Sequence, residues 1–235
     1  MAIVVTFAQQ KGGAGKTSLA VHLAVAWRHM GMPFLQGREP RVTLLDLDPQ
    51  ESMSAWFQLR QDNLGADESL ALRSTSGWSV STELSRAQRE SDIVVVDTPP
   101  QMETSTRIGV RYADMVVVPC QLSPMDVWAS RPILDLIERE RRPALLVLNR
   151  VPPRARIADE LVLQLKRDKV PIARASLGNR IGFASSLMVG KGVTEAQSYS
   201  TGATEIRLLA AEILRKLGHQ VPVEVPPAQT PRLVA

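Results

Sequence analysis

The sequence contains a single cysteine and few aromatic residues. Cys120, the one cysteine among 235 residues, lies in an apolar stretch. It excludes a disulfide within the chain and an iron–sulfur cluster held by the cysteines of one chain, and it fits a reducing cytosol. Aromatic residues make up 4% of the chain, so stacking against nucleic-acid bases is not a favoured mode of binding.

Long hydrophobic runs are also missing. No apolar run approaches the roughly 20 residues that a membrane-spanning helix needs. Because the amino terminus leads directly into a predicted strand, we expect no signal peptide. A composition of 44% hydrophobic and 22% charged residues is typical of a soluble globular protein with a sizeable core. We expect a cytoplasmic protein with one domain over 1–218 and a proline-rich, flexible tail over 219–235.

Positive charge is concentrated in the last third of the chain. Residues 1–149 contain 15 Lys and Arg against 17 Asp and Glu, a net charge of −2, whereas residues 150–235 contain 13 against 7, a net charge of +6. A basic region beside a nearly neutral one indicates a surface for a polyanion. Scattered, solvated cations are the alternative that charge alone leaves open.

Short apolar runs alternate with amphipathic segments along the chain. The runs predict strands at 3–7, 42–46, 70–73, 93–97, 115–119 and 144–149, with an edge strand at 172–175. The amphipathic segments predict helices at 16–30, 53–60, 82–89, 104–112, 123–141, 157–167 and 206–217. This alternation predicts an α/β fold with a doubly wound, mainly parallel sheet, in which ligands bind at the carboxyl ends of the strands.

A glycine-rich stretch directly after the first apolar run has the order of a phosphate-binding loop. It reads Gln10-Lys11-Gly12-Gly13-Ala14-Gly15-Lys16-Thr17-Ser18 and separates a predicted strand from a predicted helix. Glycines let successive backbone N–H groups turn toward an anion, and the helix presents its positive dipole end. In such a loop Lys16 contacts the β- and γ-phosphates, and the Thr17 hydroxyl ligates Mg²⁺.

The loop departs from the ordinary pattern at its start. Gln10 stands where the first glycine is expected, and Lys11 is a second lysine that an ordinary loop does not need. The run from Lys11 to Thr17 resembles the deviant Walker A motif of the ParA/MinD family of ATPases. The resemblance implies that Lys11 reaches across a dimer interface to the ATP of the other subunit. An ordinary loop in which Lys11 is idle, or a glycine-rich turn with two surface lysines, are the alternatives.

Three acidic residues follow predicted strands. Asp97 ends an apolar strand in the position of a Walker B acid and is predicted to complete the Mg²⁺ site begun by Thr17. Asp46-Leu47-Asp48-Pro49-Gln50 is similar to the first switch of ParA-type proteins. The resemblance implies that Asp48 helps to set up the attacking water and the contact across the dimer, and that Asp46 lies nearer the metal. A helix cap or turn is the alternative role for either acid.

Further segments resemble the same family. Asp97-Thr98-Pro99-Pro100 is similar to the second switch, which reports the γ-phosphate. Asn149-Arg150 resembles the pair that contacts adenine, and an Asn amide offers the donor and acceptor that ATP requires. The segment 123–128 resembles one that opens a helix at the dimer face, although Asp126 suits a first helical turn equally well. The predicted ATP contacts are therefore Gly12, Gly13, Ala14, Gly15, Lys16, Thr17, Ser18, Asn149 and Arg150, with Lys11, Lys16 and Asp48 as catalytic residues and Thr17, Asp46 and Asp97 at the metal.

The basic third of the chain supplies candidate contacts to DNA, namely Arg180, Lys191, Arg207, Arg215 and Lys216. Asn179-Arg180 followed by Gly190-Lys191 looks like a ParA segment that carries a DNA-contacting arginine. The chain departs from the family at Thr201, where ParA proteins have another arginine. Few aromatics lie nearby, so we expect contacts to the duplex backbone that weaken steeply with salt. Solvated surface cations are the alternative for each residue.

The resemblance extends from Ile3 to about Leu217 and implies a slow Mg²⁺-ATPase that dimerises around two ATP molecules. The implied dimer binds DNA non-specifically and is released when a partner protein stimulates hydrolysis. Because no DNA-reading segment precedes the loop, the chain looks like the small ParA type, which positions a plasmid, a chromosome region or a large protein cluster such as chemoreceptors over the nucleoid.

Three other functions fit the sequence less well. A MinD-like membrane ATPase uses a basic amphipathic C-terminal helix, whereas residues 219–235 contain several prolines and one arginine. We therefore expect no membrane partner. A metabolic ligase of the dethiobiotin-synthetase type needs a pocket for a small acid and has no use for Lys11. A reductase that resembles the nitrogenase iron protein is excluded by the lack of cysteines.

Overall fold

The structure, a computed structural model, describes residues 2–35, 37–101, 104–152 and 156–221, and for residues 34 and 156–159 it describes the backbone only. Residues 222–235 lie outside it, so most of the predicted tail, and with it the proposed domain boundary at 218, stays a prediction. No helix among the described residues is long and apolar enough to cross a membrane.

Six strands form one parallel sheet in the order β3-β2-β4-β1-β5-β6. Their bounds are β1 Ile3–Phe7, β2 Val42–Asp46, β3 Leu70–Ser74, β4 Ile93–Asp97, β5 Met115–Gln121 and β6 Ala144–Asn149. β1 lies at the centre, and the chain places β2, β3 and β4 to one side and β5 and β6 to the other. The predicted doubly wound parallel sheet is thereby confirmed.

Helices cover both faces of the sheet. Their bounds are α1 Lys16–Arg28, α2 Ser52–Leu64, α3 Val80–Glu90, α4 Thr104–Tyr112, α5 Pro124–Ala129, α6 Arg131–Arg139, α7 Arg156–Arg167, α8 Ile181–Leu187, α9 Val193–Ala196 and α10 Thr201–Lys216. Short 3₁₀ turns occur at Pro33–Leu35 and Gly77–Ser79.

Alternation along each strand divides the core into two layers, because successive side chains of a strand point to opposite faces. In β4, Ile93 and Val95 pack with α1, α2, α9 and α10, whereas Val94 and Val96 pack with α3 and α4. α6 and α7 cover the second face at β5 and β6. Strands buried on both faces explain why the sequence shows continuous apolar runs rather than alternating ones.

The central helix α1 is apolar on nearly all sides because it lies between the sheet and α10. Trp27 is fully buried in this layer, and its indole N–H donates to the Ala210 carbonyl oxygen at 3.2 Å. This contact joins the helix of the glycine-rich loop to the last helix. The C-terminal segment therefore packs as part of the same core as the loop.

The helices predicted over 53–60 and 206–217 are longer in the structure, as α2 and α10, and two other predicted elements have a different form. The helix expected over 123–141 is two helices, α5 and α6, which meet at Ser130. Pro132, which has no N–H to continue the hydrogen bonding, lies in the first turn of α6, and the Ser130 hydroxyl donates to the Asp126 carbonyl oxygen at 2.9 Å. The edge strand expected over 172–175 is a single bridge between Ile172 and Leu146, beside which the chain turns into a loop.

Candidate nucleotide-binding site

The predicted site residues converge because their strands end at one edge of the sheet. Asp97 at the end of β4 is in register with Asp46 at the end of β2 and with Phe7 at the end of β1. Asn149 ends β6 in register with Gln121 of β5. The loop that follows β1 therefore faces acids on one side and amides on the other.

The glycine-rich loop is held through its carbonyl groups. The Asn149 side-chain amide donates to the Ala14 carbonyl oxygen at 2.8 Å, and the Gln121 amide donates to the Gly13 carbonyl oxygen at 3.1 Å. Gly15 precedes α1 with a φ of 94°, and a Cβ there would lie 2.5 Å from the Asn149 amide nitrogen. Glycine is needed at this position for both reasons.

The N–H groups of the loop suit an anion. Within the described part of the chain, the N–H groups of Gly13, Ala14, Gly15 and Lys16 donate to no protein acceptor. They lie at the start of the 13-residue helix α1, where the helix dipole favours negative charge. Gly12 is exposed and Ser18 half-buried on either side of them.

Lys16 and Asp97 are buried charges that lie close enough to affect each other's pKa. Lys16 is 7% exposed, and burial lowers its pKa, while the charges of Asp97 and Asp48 oppose that shift. Asp97 is fully buried, and burial together with the neighbouring charges of Asp46 and Asp48 raises its pKa to about 7, against the opposing effects of Thr17 and Lys16. Both groups are ones that a bound ion of opposite charge would stabilise.

Thr17 and Asp97 fit a magnesium ion. The Thr17 hydroxyl donates to Asp97 Oδ2 at 2.5 Å, while Asp97 Oδ1 is buried and has no hydrogen-bond partner among the described residues. An unpartnered carboxylate oxygen beside a hydroxyl is the donor set that Mg²⁺ prefers, with the remaining positions taken by water and phosphate. The described residues contain no cluster of three or more His, Cys, Asp or Glu that could hold a metal without such ligands.

Asp46 is used differently from its neighbour. Its Oδ2 accepts from the Ser54 N–H at 3.0 Å and from the Ser54 hydroxyl at 2.9 Å, and its Oδ1 accepts from the Asp48 N–H at 3.1 Å. Asp46 therefore holds the loop and the first turn of α2, and its predicted place at the metal stays a prediction with both oxygens already hydrogen-bonded. Asp48 is half-buried, accepts from the Gln50 N–H at 3.0 Å and is close enough to Lys16 to affect its pKa.

Lys11 is paired within its own chain. Its ammonium lies 2.8 Å from Asp126 Oδ1, with the Lys11 side chain 40% exposed and that of Asp126 5% exposed. Asp126 also contacts Ser123, whose hydroxyl caps α5 by accepting from the Asp126 N–H at 3.1 Å. The segment predicted to open a helix at the dimer face thus does begin a helix, and its acid holds the lysine that the sequence singles out.

Asn149 and Arg150 have distinct positions at the end of β6. The Asn149 oxygen accepts from the Arg150 N–H at 2.9 Å, and its amide group supports the glycine-rich loop. Arg150 is exposed and has a φ of 52°. The predicted adenine contact of this pair stays a prediction, and the structure adds a second role for Asn149 in holding the loop.

The candidate DNA contacts lie on α8 to α10 and their loops. Arg180 forms an ion pair with Glu205 at 2.6 Å, and the Arg207 guanidinium donates to the Ser198 carbonyl oxygen at 2.6 Å. Lys191 is half-buried. Arg215 and Lys216 are exposed in the last turn of α10. Their role at DNA stays a prediction.

Ser54 and Gln121 belong to the site but were not predicted. Ser54 lies in α2, and Gln121 ends β5, so neither is part of a recognisable motif. The position of Gln121 follows from the register of the strands, and its sequence signal was a polar residue at the end of an apolar strand, whereas Ser54 belongs to the site because its N–H and hydroxyl donate to Asp46.

A family model matches most of the chain. The model for the CobQ/CobB/MinD/ParA nucleotide binding domain, CbiA, matches residues 5–217. The maintenance of carboxysome distribution protein A of Halothiobacillus neapolitanus is 26% identical over 220 residues, which cover 91% of this chain and 97% of that protein. The chromosome-partitioning ATPase Soj of Thermus thermophilus is 24% identical over 246 residues, which cover 91% of this chain and 96% of that protein.

Solved structures show the same fold. A putative plasmid partition protein from Borrelia burgdorferi bound to AMPPNP superposes with a TM-score of 0.72 at 18% identity, covering 92% of this chain and 100% of that one. The septum site-determining protein MinD from Pyrococcus horikoshii, complexed with Mg-ADP, has a TM-score of 0.72 at 15% identity, covering 93% of this chain and 98% of that one.

Proposed function

Because this chain belongs to the CobQ/CobB/MinD/ParA family of nucleotide-binding domains, we propose that it is a slow, partner-stimulated Mg²⁺-ATPase of the ParA type. Its ATP-bound dimer binds DNA non-specifically, and ATP hydrolysis releases it. The cycle positions or segregates a cargo over the nucleoid. The names of its relatives, which include partition proteins and a carboxysome distribution protein, support this assignment.

One observation carries the nucleotide half of the proposal. Among the described residues, the N–H groups of the loop have no protein acceptor and Asp97 Oδ1 has no hydrogen-bond partner, while the Lys16 ammonium is close enough to Asp97 for their charges to interact. A Mg²⁺–triphosphate supplies a charge for each of these groups. Thr17 and Asp97 hold the metal, which neutralises developing charge on the phosphates when bound.

Two further residues act in hydrolysis. Asp48 orients the attacking water, because its side chain is less buried than that of Asp46 and lies within the electrostatic reach of Lys16. Lys11 contacts the ATP of the partner subunit. The Lys11 ion pair with Asp126 breaks when the dimer forms, and because the Asp126 side chain is only 5% exposed, the loss of its cation is a cost that the Lys11 contact to ATP offsets.

Adenine and DNA are contacted by residues from Asn149 onward in the chain. Asn149 and Arg150, at the end of β6, flank the adenine. The cations of α8 to α10, which include the exposed Arg215 and Lys216, contact the phosphates of duplex DNA. The net charge of +6 over residues 150–235 supports this location. The protein acts in the cytoplasm at the nucleoid, with a cargo adaptor as its stimulating partner.

DNA co-sedimentation tests the proposal. Wild-type protein is spun with duplex DNA in the presence of ATP or ADP, at low and moderate salt, beside a Lys11→Ala variant with ATP. We expect retention with ATP only, and its loss in the variant and at higher salt.

Absence of retention in every state contradicts the DNA half of the proposal. Liposome binding in the presence of ATP then distinguishes a MinD-like membrane ATPase. Equal retention with ATP and with ADP contradicts the proposal that only the ATP-bound protein binds DNA.

A further inference from the structure

Helix α2 begins at the nucleotide site. Asp46, at the end of β2, accepts two hydrogen bonds from Ser54 in the first turn of α2 and one from the Asp48 N–H. The Glu51 N–H donates to the Asp48 carbonyl oxygen at 2.9 Å. The loop that carries Asp48 and the start of α2 therefore form one hydrogen-bonded unit.

The same helix is fastened to the C-terminal region by Arg60. The Arg60 side chain is 4% exposed, and its Nη1 donates to the Gly190 carbonyl oxygen at 3.0 Å and to Glu195 Oε2 at 2.9 Å. Its Nη2 donates to Glu195 Oε1 at 2.8 Å. The guanidinium also lies 5.7 Å from the centroid of the Trp56 ring. A buried, bidentate pair of this kind allows little relative movement of its two sides.

Backbone packing brings the two segments together at the same point. A Cβ on Gly190, which has a φ of 70°, would lie 2.5 Å from Arg60 Cα and 2.8 Å from the Arg60 backbone nitrogen. Glycine at this position allows the loop before α9 to touch the α2 backbone. A shift of α2 is therefore transmitted to the loop by direct contact as well as by the ion pair.

The loop held by Arg60 carries part of the basic surface. Lys191 follows Gly190 directly, and the Gly192 N–H donates to Glu195 Oε2 at 3.1 Å. The Arg207 guanidinium of α10 donates to the Ser198 carbonyl oxygen, just beyond α9, at 2.6 Å. Glu195 thus organises the segment between two of the predicted DNA contacts.

We propose that Arg60 is a positioning residue that couples the Asp48 loop to the Lys191 loop, so that the state of the nucleotide sets the position of Lys191. The seven residues from Ser54 to Arg60 are six steps of continuous helix, about 9 Å long, which moves as a rigid body. The proposal rests on the proposed function, because it assigns the route by which ATP changes the affinity for DNA.

Hydrogen exchange of the full-length protein tests the coupling without DNA. The probes are a non-hydrolysable ATP analogue with Mg²⁺ and, in parallel, Mg-ADP. We expect the analogue to change exchange of the amides over 188–195 by about tenfold relative to ADP in the wild type, and by less than about twofold in Arg60→Lys. Lysine keeps the charge beside Glu195 but cannot bond Gly190 and both carboxylate oxygens together.

Two matched controls separate coupling from stability. Arg28, on α1, also pairs with Glu195 at 3.3 Å and shares Asp67 with Arg60, so Arg28→Lys perturbs the same carboxylates but leaves the Arg60 bonds to Glu195 and Gly190 in place. Gly190→Ala pushes the loop from α2 without changing any charge. Its control is Gly77→Ala, because Gly77 also has a positive φ, 63°, but its added Cβ meets nothing within 4 Å. We expect nucleotide affinity within about twofold of wild type in all four variants, and loss of the exchange difference only in Arg60→Lys and Gly190→Ala.

The outcomes separate this coupling from the DNA-binding function. The coupling is wrong if wild-type exchange over 188–195 does not depend on the nucleotide, if Arg60→Lys keeps the full difference, or if Arg28→Lys loses it equally. DNA affinity measured on the same samples gives the second readout. If the wild type binds no DNA while Arg60→Lys still removes the exchange difference, the DNA-binding function fails and the coupling stands.

Discussion

The phosphate site and the junction between α2 and α9 each bury a carboxylate, but they hold it in opposite ways. Burial raises the pKa of Asp97 to about 7 at the phosphate site. Burial would also raise the pKa of Glu195, but hydrogen bonds from His29 and Arg60, together with the charge of Arg60, outweigh it and lower that pKa to about 2. The two acids differ in the number of donors and cations that the protein itself supplies.

The difference in donors and cations distinguishes Asp97, which requires a ligand, from Glu195, whose partners are supplied by the protein itself. Within the described part of the chain, Asp97 has one hydroxyl donor, an oxygen with no hydrogen-bond partner and two neighbouring acids. Glu195 accepts from the Arg60 guanidinium on both oxygens and from the Gly192 N–H on Oε2. A buried charge without partners is costly, and so Asp97 suits a bound cation, whereas Glu195 serves to join helices.

Loss of the Lys16 charge is expected to have the largest effect. Lys16→Ala should weaken ATP binding by at least about 100-fold, or about 2.7 kcal/mol, because the triphosphate loses its buried cation. Lys191→Ala is the control, since it removes a cation of the C-terminal region and should leave ATP affinity unchanged. Isothermal titration with the ATP analogue measures both. Equal losses of ATP affinity in the two variants would contradict the assignment of ATP binding to the glycine-rich loop and not to the C-terminal region.

Glu195→Gln should destabilise the protein by about 2 kcal/mol at pH 7, because it leaves the buried Arg60 with only the more distant carboxylate of Asp67, at 3.5 Å, as a counter-charge. The folded-state pKa of Glu195, about 2, lies below its ordinary value of 4.5. Its contribution is therefore complete above pH 4.5 and is lost as the pH falls toward 2.

Urea unfolding of the wild type and Glu195→Gln from pH 7 to pH 2.5 measures this difference. Glu68→Gln, which changes an exposed carboxylate, is the control. If the difference in free energy of unfolding between the wild type and Glu195→Gln does not narrow below pH 4.5, the ion pair is not its cause.

Asp97→Asn should stabilise the protein when it is free of metal and nucleotide, whereas Glu195→Gln should destabilise it. The folded-state pKa of Asp97, about 7, lies above its ordinary value of 3.8, so the wild type loses stability as the pH rises from about 4 to 7. Asparagine avoids that loss and keeps an acceptor for Thr17, so the variant should be more stable by about 1 kcal/mol at pH 8. Chemical unfolding at pH 5 and pH 8 with a chelator measures it, and a variant less stable than wild type at pH 8 refutes the assignment.

The smallest expected effect concerns DNA. Arg215→Gln combined with Lys216→Gln should reduce the slope of log affinity against log salt by up to about 2, because each lost phosphate contact releases about 0.9 fewer counterions. Lys166→Gln with Arg167→Gln is the matched control, since this pair is also exposed in the last turn of a helix, α7, on the other face of the sheet. Equal slopes for the two double variants would exclude α10 as the DNA surface.

Elements with continuous apolar strands or strong helical periodicity could be predicted from the sequence. β1, β2, β4 and β6 have the predicted bounds, because their burial on both faces requires an uninterrupted apolar run. The short helices α8 and α9 were not predicted, since four to seven residues carry too little periodicity to detect. The break at Ser130 depends on Pro132 and on a side-chain bond to the preceding turn.

Local order along the chain was enough to predict the parallel sheet, the glycine-rich loop between β1 and α1, and the strand ends at which Asp97 and Asn149 lie, because these depend on residues adjacent in sequence. The partners of the charged groups depend on packing between distant segments. Only the tertiary structure paired Lys11 with Asp126, engaged Asp46 with Ser54 and joined Arg60 to Glu195, 135 residues away. Such contacts depend on which helices cover the same face of the sheet, and a local sequence pattern does not determine this.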